Sequence, residues 1–302
     1  MSIHPRSAPN RTQHRIVLPR FSLVLGGGGA RGLAHIGVLK VLEREGLRPG
    51  LIVGTSMGAI VGGMYAQSPN AWLVEERITR LIRSKPFRRI VLDAFSHEGA
   101  PDSLRTVSAL YGRMKRGYGI LKSVWSPGIV EAPVLIDFLS HLLDDVTFAR
   151  CVIPFAAVTC DLLTGNEVIC RAGPMLKAVA ASSAIPGVVS PVRLGGKWLV
   201  DGGPTSMVPV DAALGISRLP VLAVTVTRTV KGKEKMTNAV DVVLRAGAIA
   251  RLRLAEYNLR DAAVVLRPRV SSYGWADFNS IRRFVAEGER VAEHALESIR
   301  GL

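Results

Sequence analysis

The five residues Gly54-Thr55-Ser56-Met57-Gly58 follow the pattern GxSxG. In this pattern a serine occupies a sharp turn between a strand and a helix, where its hydroxyl is exposed as a nucleophile. Gly54 and Gly58 suit such a turn, because the backbone doubles back on itself and leaves room only for small residues. The same pattern also fits a plain helix start with Ser56 as its cap. A reaction can therefore be inferred only from the residues that accompany the serine.

A second motif, GxGxxG, lies upstream at Gly27-Gly28-Gly29-Ala30-Arg31-Gly32. It would suit a dinucleotide site, but such a site needs an acidic residue about 20 positions later, and the strand predicted at Leu51–Gly54 ends without one. A Walker loop is excluded because Leu33-Ala34 stand where Lys and Ser or Thr are required. Beside Ser56, the glycines could instead direct bare N–H groups, backed by a helix N-terminus, toward an oxyanion.

A nucleophilic serine also needs a base. Asp201 is predicted at the end of a strand, after the hairpin signal Gly195-Gly196. A triad in the order Ser, Asp, His would need a later histidine, and only His294, in an amphipathic terminal helix, follows Asp201. His35 lies beside the glycine loop. Neither histidine has the surroundings of a triad member, so a carboxylate base is favoured, with a Ser-His-Asp triad as the alternative.

Four stretches of the chain, in this order, resemble the patatin-like phospholipase family and in particular its short bacterial single-domain members: GGGGARGLAHIGVLKVLEREGL, GTSMGAIVGGMYA, ASSAIPG and DGG. The resemblance covers about residues 21–69 and 150–299 and is weakest between them. It implies a three-layer α/β/α sandwich around a mainly parallel sheet. It also implies a lipid acyl hydrolase of the phospholipase A type, with a Ser-Asp dyad and no histidine.

The resemblance assigns roles to individual residues. It implies Ser56 as the nucleophile, Asp201 as the base and the loop Gly27–Gly32 as the oxyanion hole. The implied oxyanion-hole residues are Gly27, Gly28, Gly29, Arg31, Gly32 and Met57, and the implied motif glycines are Gly54, Gly58, Gly202 and Gly203. The chain departs from the family after Gly203, where relatives commonly have an asparagine and this chain has Ser206. If that asparagine braces the aspartate loop, the shorter Ser206 must do so here.

Strands and helices that could position these residues alternate along the chain. Short apolar runs at 21–25 and 51–53 predict buried parallel strands, and the helices predicted after them complete a right-handed βαβ unit. Further strands are predicted at 154–159, 167–170, 192–194, 197–200, 222–227 and 263–266, and further helices at 174–186, 238–260 and 278–299. The uncharged stretch 51–74 is long enough to span a membrane, but its glycines and polar residues favour a buried strand, turn and helix.

Composition limits the class of protein. Hydrophobic residues make up 48% of the 302 residues and charged residues 21%, which excludes a disordered chain and leaves an α/β protein with a sizeable core. The cysteines, Cys151, Cys160 and Cys170, match no zinc pattern and no disulfide framework, which indicates a reducing compartment. No cluster of possible ligands has metal spacing, so we expect an enzyme without metal or cofactor.

Basic residues outnumber acidic ones by 39 to 24, for a net charge of +15, so anionic partners are favoured. Residues 1–20 are predicted to be a basic flexible arm without the apolar core of a signal peptide, and residues 21–302 one patatin-like domain. A basic lid-like segment is predicted at about 77–130, and its part from Arg77 to Lys122 has eleven basic and three acidic residues.

The expected substrate is a lipid or phospholipid ester, and no specific nucleic-acid partner is expected. We expect a cytoplasmic location, with peripheral binding to the inner membrane face through anionic lipid. The sequence carries no signal for the oligomeric state. The alternative to an enzyme is a non-catalytic basic protein that docks on anionic membrane or nucleic acid and keeps the glycine loops only as turns. Such a binding module would have no need of both GxSxG and an aspartate at a strand end.

Overall fold

The computed structural model describes residues 21–85, 87, 127–128, 130–227 and 239–302. The predicted N-terminal arm and most of the predicted basic lid-like segment lie outside these ranges. Within them, eight strands form one sheet in the order β5-β6-β3-β2-β1-β7-β8, with β4 also paired to β3. The strands are β1 Ser22–Leu25, β2 Leu51–Thr55, β3 Phe155–Asp161, β4 Glu167–Cys170, β5 Val192–Leu194, β6 Lys197–Asp201, β7 Val221–Val224 and β8 Val264–Leu266.

The sheet is parallel on one side and antiparallel on the other. β1 pairs in parallel with β2 and β7, and the parallel arrangement continues from β2 to β3 and from β7 to β8. β4 and β6 pair antiparallel with β3, and β5 pairs antiparallel with β6. The first two strands are buried along their whole length, as their uninterrupted apolar sequences predict.

Helices cover both faces of this sheet. They are α1 Ala34–Arg44, α2 Met57–Gln67, α3 Ala71–Arg83, α4 Ala132–Ser140, α5 Met175–Ser182, α6 Val210–Ile216, α7 Ala239–Asn258, α8 Ile281–His294 and α9 Leu296–Arg300. One apolar core contains residues of α1 to α5 and α8, and a second core on the opposite face contains residues of α6 and α7. The predicted three-layer α/β/α sandwich around a mainly parallel sheet is thereby confirmed.

The helix α3 was not predicted from the sequence, because its many charged residues resemble the start of the basic segment. Its buried residues Val74, Ile78 and Ile82 nevertheless repeat every four positions, as they do on the inner face of a helix. Asn70 begins the helix, and its side chain accepts a hydrogen bond of 2.9 Å from the Leu73 N–H. The asparagine cap and the apolar spacing were the signals that would have identified it.

The predicted terminal helix at 278–299 is divided into three parts. A short 3₁₀ turn occupies Phe278–Ser280, α8 follows, and α9 begins after Ala295, which has φ −102° and ψ 7°. The uncharged stretch 51–74 is likewise divided, into β2, α2 and the start of α3. No helix in the described part of the chain is long and apolar enough to cross a membrane.

Glycines allow α1 and α8 to cross closely. A Cβ atom at Gly37 would overlap the Val285 carbonyl oxygen, and one at Gly288 would overlap the Ala34 carbonyl oxygen. The two backbones therefore touch where other residues would hold them apart. The crossing supports the N-terminal half of α1, which lies next to the glycine loop.

Candidate active site

Ser56 occupies the junction between β2, which ends at Thr55, and α2, which begins at Met57. Its φ is 56° and its ψ is −124°, and within the described ranges it is the one non-glycine residue with positive φ. Such a backbone conformation is strained and persists only where the surrounding structure enforces it. The turn thus holds the Ser56 hydroxyl at the end of the sheet, as the GxSxG pattern predicts for a nucleophile.

The two glycines of this motif are required by close contacts. A Cβ atom at Gly54 would lie 2.5 Å from the Gly58 carbonyl oxygen, and one at Gly58 would overlap the Leu25 carbonyl oxygen. Strand β2, helix α2 and the end of β1 therefore meet without side chains between them. This packing fixes the position of the turn that carries Ser56.

Strand β3 brings Asp201 to the same place. Val158 of β3 is paired with Thr55 of β2, and the next residue, Thr159, is paired with Asp201 of β6. Both Val158 and Thr159 also pair with β4, which occupies the other edge of β3. Strands β2 and β6 therefore end against each other along one edge of β3, and the residues at their ends lie side by side.

Ser56 and Asp201 are both largely buried, with 8% and 6% of their surface exposed. Burial raises the pKa of the Asp201 carboxyl from 3.8 to about 6, because the charged form is poorly solvated. Hydrogen bonding with the Ser56 side chain, the Gly203 N–H at 2.7 Å and the charge of Arg251 act in the opposite direction. The carboxylate is thus ionised at neutral pH and is still a better proton acceptor than an exposed aspartate.

The glycine loop lies against Ser56, because a Cβ atom at Gly27 would be 3.2 Å from the Ser56 Cβ. Two backbone N–H groups of the loop already have acceptors. The Gly27 N–H donates to the Met207 carbonyl at 2.9 Å, and the Ala30 N–H donates to the Trp275 carbonyl at 2.6 Å. These two bonds hold the loop on either side of Gly28 and Gly29. The N–H groups of those two residues are not used by these bonds.

Among the described residues the N–H groups of Gly28 and Gly29 have no backbone acceptor, and the same holds for the N–H of Met57 at the start of α2. Gly29 has φ +61°, which only glycine adopts without strain. In the described part of the chain, three of the predicted oxyanion-hole residues, Gly28, Gly29 and Met57, thus have N–H groups without a backbone acceptor.

Arg31 and Gly32 have structural contacts in the same loop. The Arg31 Nε donates to the Gly28 carbonyl at 3.2 Å, which fixes the peptide next to one of the free N–H groups. A Cβ atom at Gly32 would lie 2.7 Å from the Met57 Cβ, so the loop approaches the start of α2 closely. Arg31 and Gly32 therefore stabilise the shape of the loop, and their roles differ from that of the N–H groups of Gly28 and Gly29.

The two histidines considered as triad members are engaged elsewhere. His35 Nε2 lies 2.7 Å from the Gly26 carbonyl, and because a carbonyl only accepts, Nε2 must carry the proton. Burial lowers the pKa of His35 to about 4, so it is neutral at physiological pH. His294 is exposed and donates from Nδ1 to the Arg290 carbonyl of its own helix at 2.7 Å. Neither histidine is hydrogen-bonded to Ser56 or Asp201.

The loop after Asp201 is held by the backbone of Ser206 rather than by its side chain. The Thr55 hydroxyl donates to the Ser206 carbonyl at 2.9 Å, and the Ser206 N–H donates to the Gly202 carbonyl at 2.7 Å. Among the described residues the buried Ser206 hydroxyl makes no hydrogen bond to the Asp201 loop; it lies near the Glu167 carboxyl, whose pKa it acts to lower. The serine therefore does not replace the side-chain brace that we attributed to an asparagine.

Groups that could suggest other chemistry have structural roles or do not converge. Asp161 accepts hydrogen bonds from the Leu163 N–H and the Thr164 hydroxyl, as a turn-forming aspartate does. In the part of the chain that is described, no three His, Cys, Asp or Glu residues are placed to share a metal ion. The groups that converge are a serine, a carboxylate and a set of N–H donors, which together suit acyl transfer.

Comparisons with known proteins agree with the sequence motifs. The family model described as Patatin-like phospholipase matches residues 23–214. An uncharacterized NTE family protein of Mycobacterium bovis is 33% identical over 214 residues, which are 71% of this chain and 51% of that protein. The lysophospholipase NTE1 of Debaryomyces hansenii is 26% identical over 300 residues, which are 91% of this chain and 18% of its own.

Among solved structures, VipD from Legionella pneumophila aligns over 92% of this chain and 67% of its own, with a TM-score of 0.48 and 15% identity. The chain spans about half the length of the mycobacterial relative that it matches.

Proposed function

Because the chain belongs to the patatin-like phospholipase family, we propose that it is a serine hydrolase that cleaves acyl esters of lipids, in the manner of a phospholipase A. One observation carries the proposal. A strained serine at a strand end lies beside a buried aspartate whose pKa is raised to about 6. A structural serine and a structural aspartate would need neither property.

In the proposed reaction, Asp201 accepts the proton of the Ser56 hydroxyl while the Ser56 Oγ attacks the ester carbonyl carbon. The carbonyl π bond breaks, and the resulting oxyanion accepts hydrogen bonds from the N–H groups of Gly28, Gly29 and Met57. The leaving alcohol takes the proton from Asp201, and the acyl group remains on Ser56. A water molecule then gives a proton to Asp201 and attacks the acyl carbon. The bond between that carbon and Ser56 Oγ breaks, Asp201 returns the proton to Oγ, and the carboxylic acid leaves.

Labelling with a fluorophosphonate tests whether Ser56 is the nucleophile. We expect one adduct per chain, on the peptide that contains Ser56, and no adduct in Ser56→Ala. Asp201→Asn should lose labelling and hydrolysis of a soluble short-chain ester, because a nucleophile and its base act as a unit. Stoichiometric labelling at another serine, or full esterase activity in Ser56→Ala, would contradict the assignment of Ser56 as the nucleophile. A wild-type protein that is neither labelled nor active on esters would favour a non-catalytic binding protein.

His294→Ala is the matched control for a histidine base. Its side chain is exposed and bonded within its own helix, so the variant should keep the wild-type rate. His35→Ala is a weaker control, because His35 holds the carbonyl of Gly26 next to the oxyanion loop. If folded His294→Ala loses activity as completely as Ser56→Ala, the Ser-His-Asp triad becomes the favoured mechanism.

We further propose that the basic segment binds anionic lipid and delivers the enzyme to a membrane surface. The proposal rests on its composition, since most of the segment lies outside the described residues. Each basic residue near an anionic surface contributes about 1 kcal/mol. Reversing Arg88, Arg89, Lys115 and Arg116 to Glu should lower binding to anionic vesicles and turnover of phospholipid, and should spare a soluble ester. Equal loss on both substrates would show that the segment supports the active site instead.

A further inference from the structure

Two residues at the end of α5, Ser182 and Ala184, contact the backbone of the two members of the proposed dyad. The Ser56 N–H donates to the Ser182 Oγ at 3.0 Å. The Asp201 N–H donates to the Ala184 carbonyl at 2.9 Å. The segment 182–184 thus holds the nucleophile through a side chain and the base through its own backbone.

The Ser182 hydroxyl is itself fixed in orientation. It donates its proton to the Val158 carbonyl of β3 at 2.7 Å. Its oxygen is therefore the acceptor for the Ser56 N–H. The residue is completely buried, and water cannot replace either bond. The same Val158 carbonyl is the close neighbour of Gly202, where a Cβ atom would lie 2.6 Å from it. One hydroxyl therefore connects the serine turn to the part of β3 on which the aspartate loop packs.

The position of this bond matters because Ser56 is strained. On its C-terminal side the Ser56 carbonyl accepts hydrogen bonds from the Ala59 and Ile60 N–H groups, which belong to α2. On its N-terminal side the hydrogen bond is made to Ser182. Without it, the strained peptide before Ser56 would be free to rotate away from its unfavourable conformation.

We propose that Ser182 is a positioning residue, whose hydroxyl sets the distance between the Ser56 Oγ and the Asp201 carboxylate by holding the Ser56 N–H. The inference rests on the proposed function, because it concerns the geometry of that reaction. Ser182 touches the backbone of the nucleophile and takes no part in proton transfer.

The test compares two neighbouring serines. Ser182→Ala removes both hydrogen bonds, whereas Ser183→Ala removes a buried hydroxyl that has no partner among the described residues. A displacement of about 1 Å between reacting groups costs about a hundredfold in rate. We expect kcat/KM for a soluble short-chain ester, per folded enzyme, to fall about tenfold to a hundredfold in Ser182→Ala with KM little changed. Ser183→Ala should stay within about twofold of the wild type.

A pH profile separates positioning from a loss of stability. The Ser56 side chain lowers the pKa of Asp201, so a Ser56 hydroxyl that moves away leaves that pKa higher. The acidic limb of the kcat/KM profile should therefore move to higher pH in Ser182→Ala and stay in place in Ser183→Ala. The rate of fluorophosphonate labelling should fall in parallel with kcat/KM.

Ser182→Cys covers the case in which the alanine variant does not fold. A thiol is a weak donor and acceptor of similar size, so its kcat/KM should lie between those of the wild type and Ser182→Ala. Wild-type kcat/KM and an unmoved acidic limb in a folded Ser182 variant would overturn the positioning role while the effect of Ser56→Ala stands. Full activity in Ser56→Ala would instead overturn the proposed reaction.

Discussion

The substitution Asp201→Asn tests whether the proposed base occupies a site that disfavours its charge. Burial is the main cause that raises the pKa of the Asp201 carboxyl from 3.8 to about 6. Asparagine has nearly the same shape, carries no charge and can still accept the hydrogen bond from the Gly203 N–H. We therefore expect the variant to be inactive and, at pH 8, to be more stable than the wild type.

The two pKa values give the size and sign of this effect. The folded wild type binds a proton at Asp201 below about pH 6, whereas the unfolded chain does so only below about pH 3.8. The free energy of unfolding therefore falls as the pH rises through this window, by about 3 kcal/mol in total. Between pH 5 and pH 8 the wild type loses about 1.4 kcal/mol from this group, since pH 5 lies about one unit below the folded-state pKa. Asp201→Asn has no titrating carboxyl at this position, so its free energy of unfolding does not change with pH for this reason.

Urea unfolding of both proteins at pH 5 and pH 8, at equal ionic strength, measures the difference. The stability advantage of Asp201→Asn should be about 1.4 kcal/mol larger at pH 8 than at pH 5. His35 titrates nearby with the opposite sign, because burial lowers its pKa from 6.5 to about 4, but it is common to both proteins and cancels. An advantage that is equal at the two pH values would refute the assignment of a buried, proton-accepting carboxylate.

Three further substitutions test the packing and charge around the site. Gly288→Ala at the helix crossing should lower the free energy of unfolding by about 1–3 kcal/mol in urea titrations, whereas Gly215→Ala, with open space around it, should not. Gly29→Ala should abolish esterase turnover, because the residue has positive φ and no room for a Cβ atom. Gly274→Ala, which has open space around it, should keep the wild-type rate. An active Gly29→Ala would exclude this loop as the oxyanion hole. Arg251→Gln should move the acidic limb of kcat/KM to higher pH, since its charge lowers the pKa of the base, and added salt should shrink the difference.

The elements around Ser56 could be predicted from the sequence because local rules determine them. Strand β1 and helix α2 follow directly from short apolar runs interrupted by glycine. The hairpin that delivers Asp201 was predicted from Gly195-Gly196, which have φ +58° and +76° in the turn. In each case the decisive residues are neighbours in the chain, so no knowledge of distant contacts was needed.

The rest of the site depends on contacts between distant parts of the chain. The GxSxG pattern does not reveal that Ser182 accepts the Ser56 N–H, because the two serines meet only after β3 and α5 have packed together. The glycine motif likewise does not show which of its N–H groups are free, since the acceptors for Gly27 and Ala30 are Met207 and Trp275. Sequence patterns point to Ser56 and Asp201 as the proposed reacting residues, and tertiary packing decides their geometry.

The meeting of β2 and β6 along one edge of β3 has a consequence for the evolution and engineering of such enzymes. Long stretches between the two strands can gain or lose residues without moving Ser56 and Asp201 apart, as long as both strands keep their partners on β3. A shift of β6 by a single residue is far more damaging, because it turns every side chain of the strand to the opposite face. The carboxylate would then point away from the serine although every residue of the motif was still present. Grafting the proposed Ser56-Asp201 pair onto another protein would therefore require copying a strand alignment, whereas copying the loops that connect the strands would not be enough.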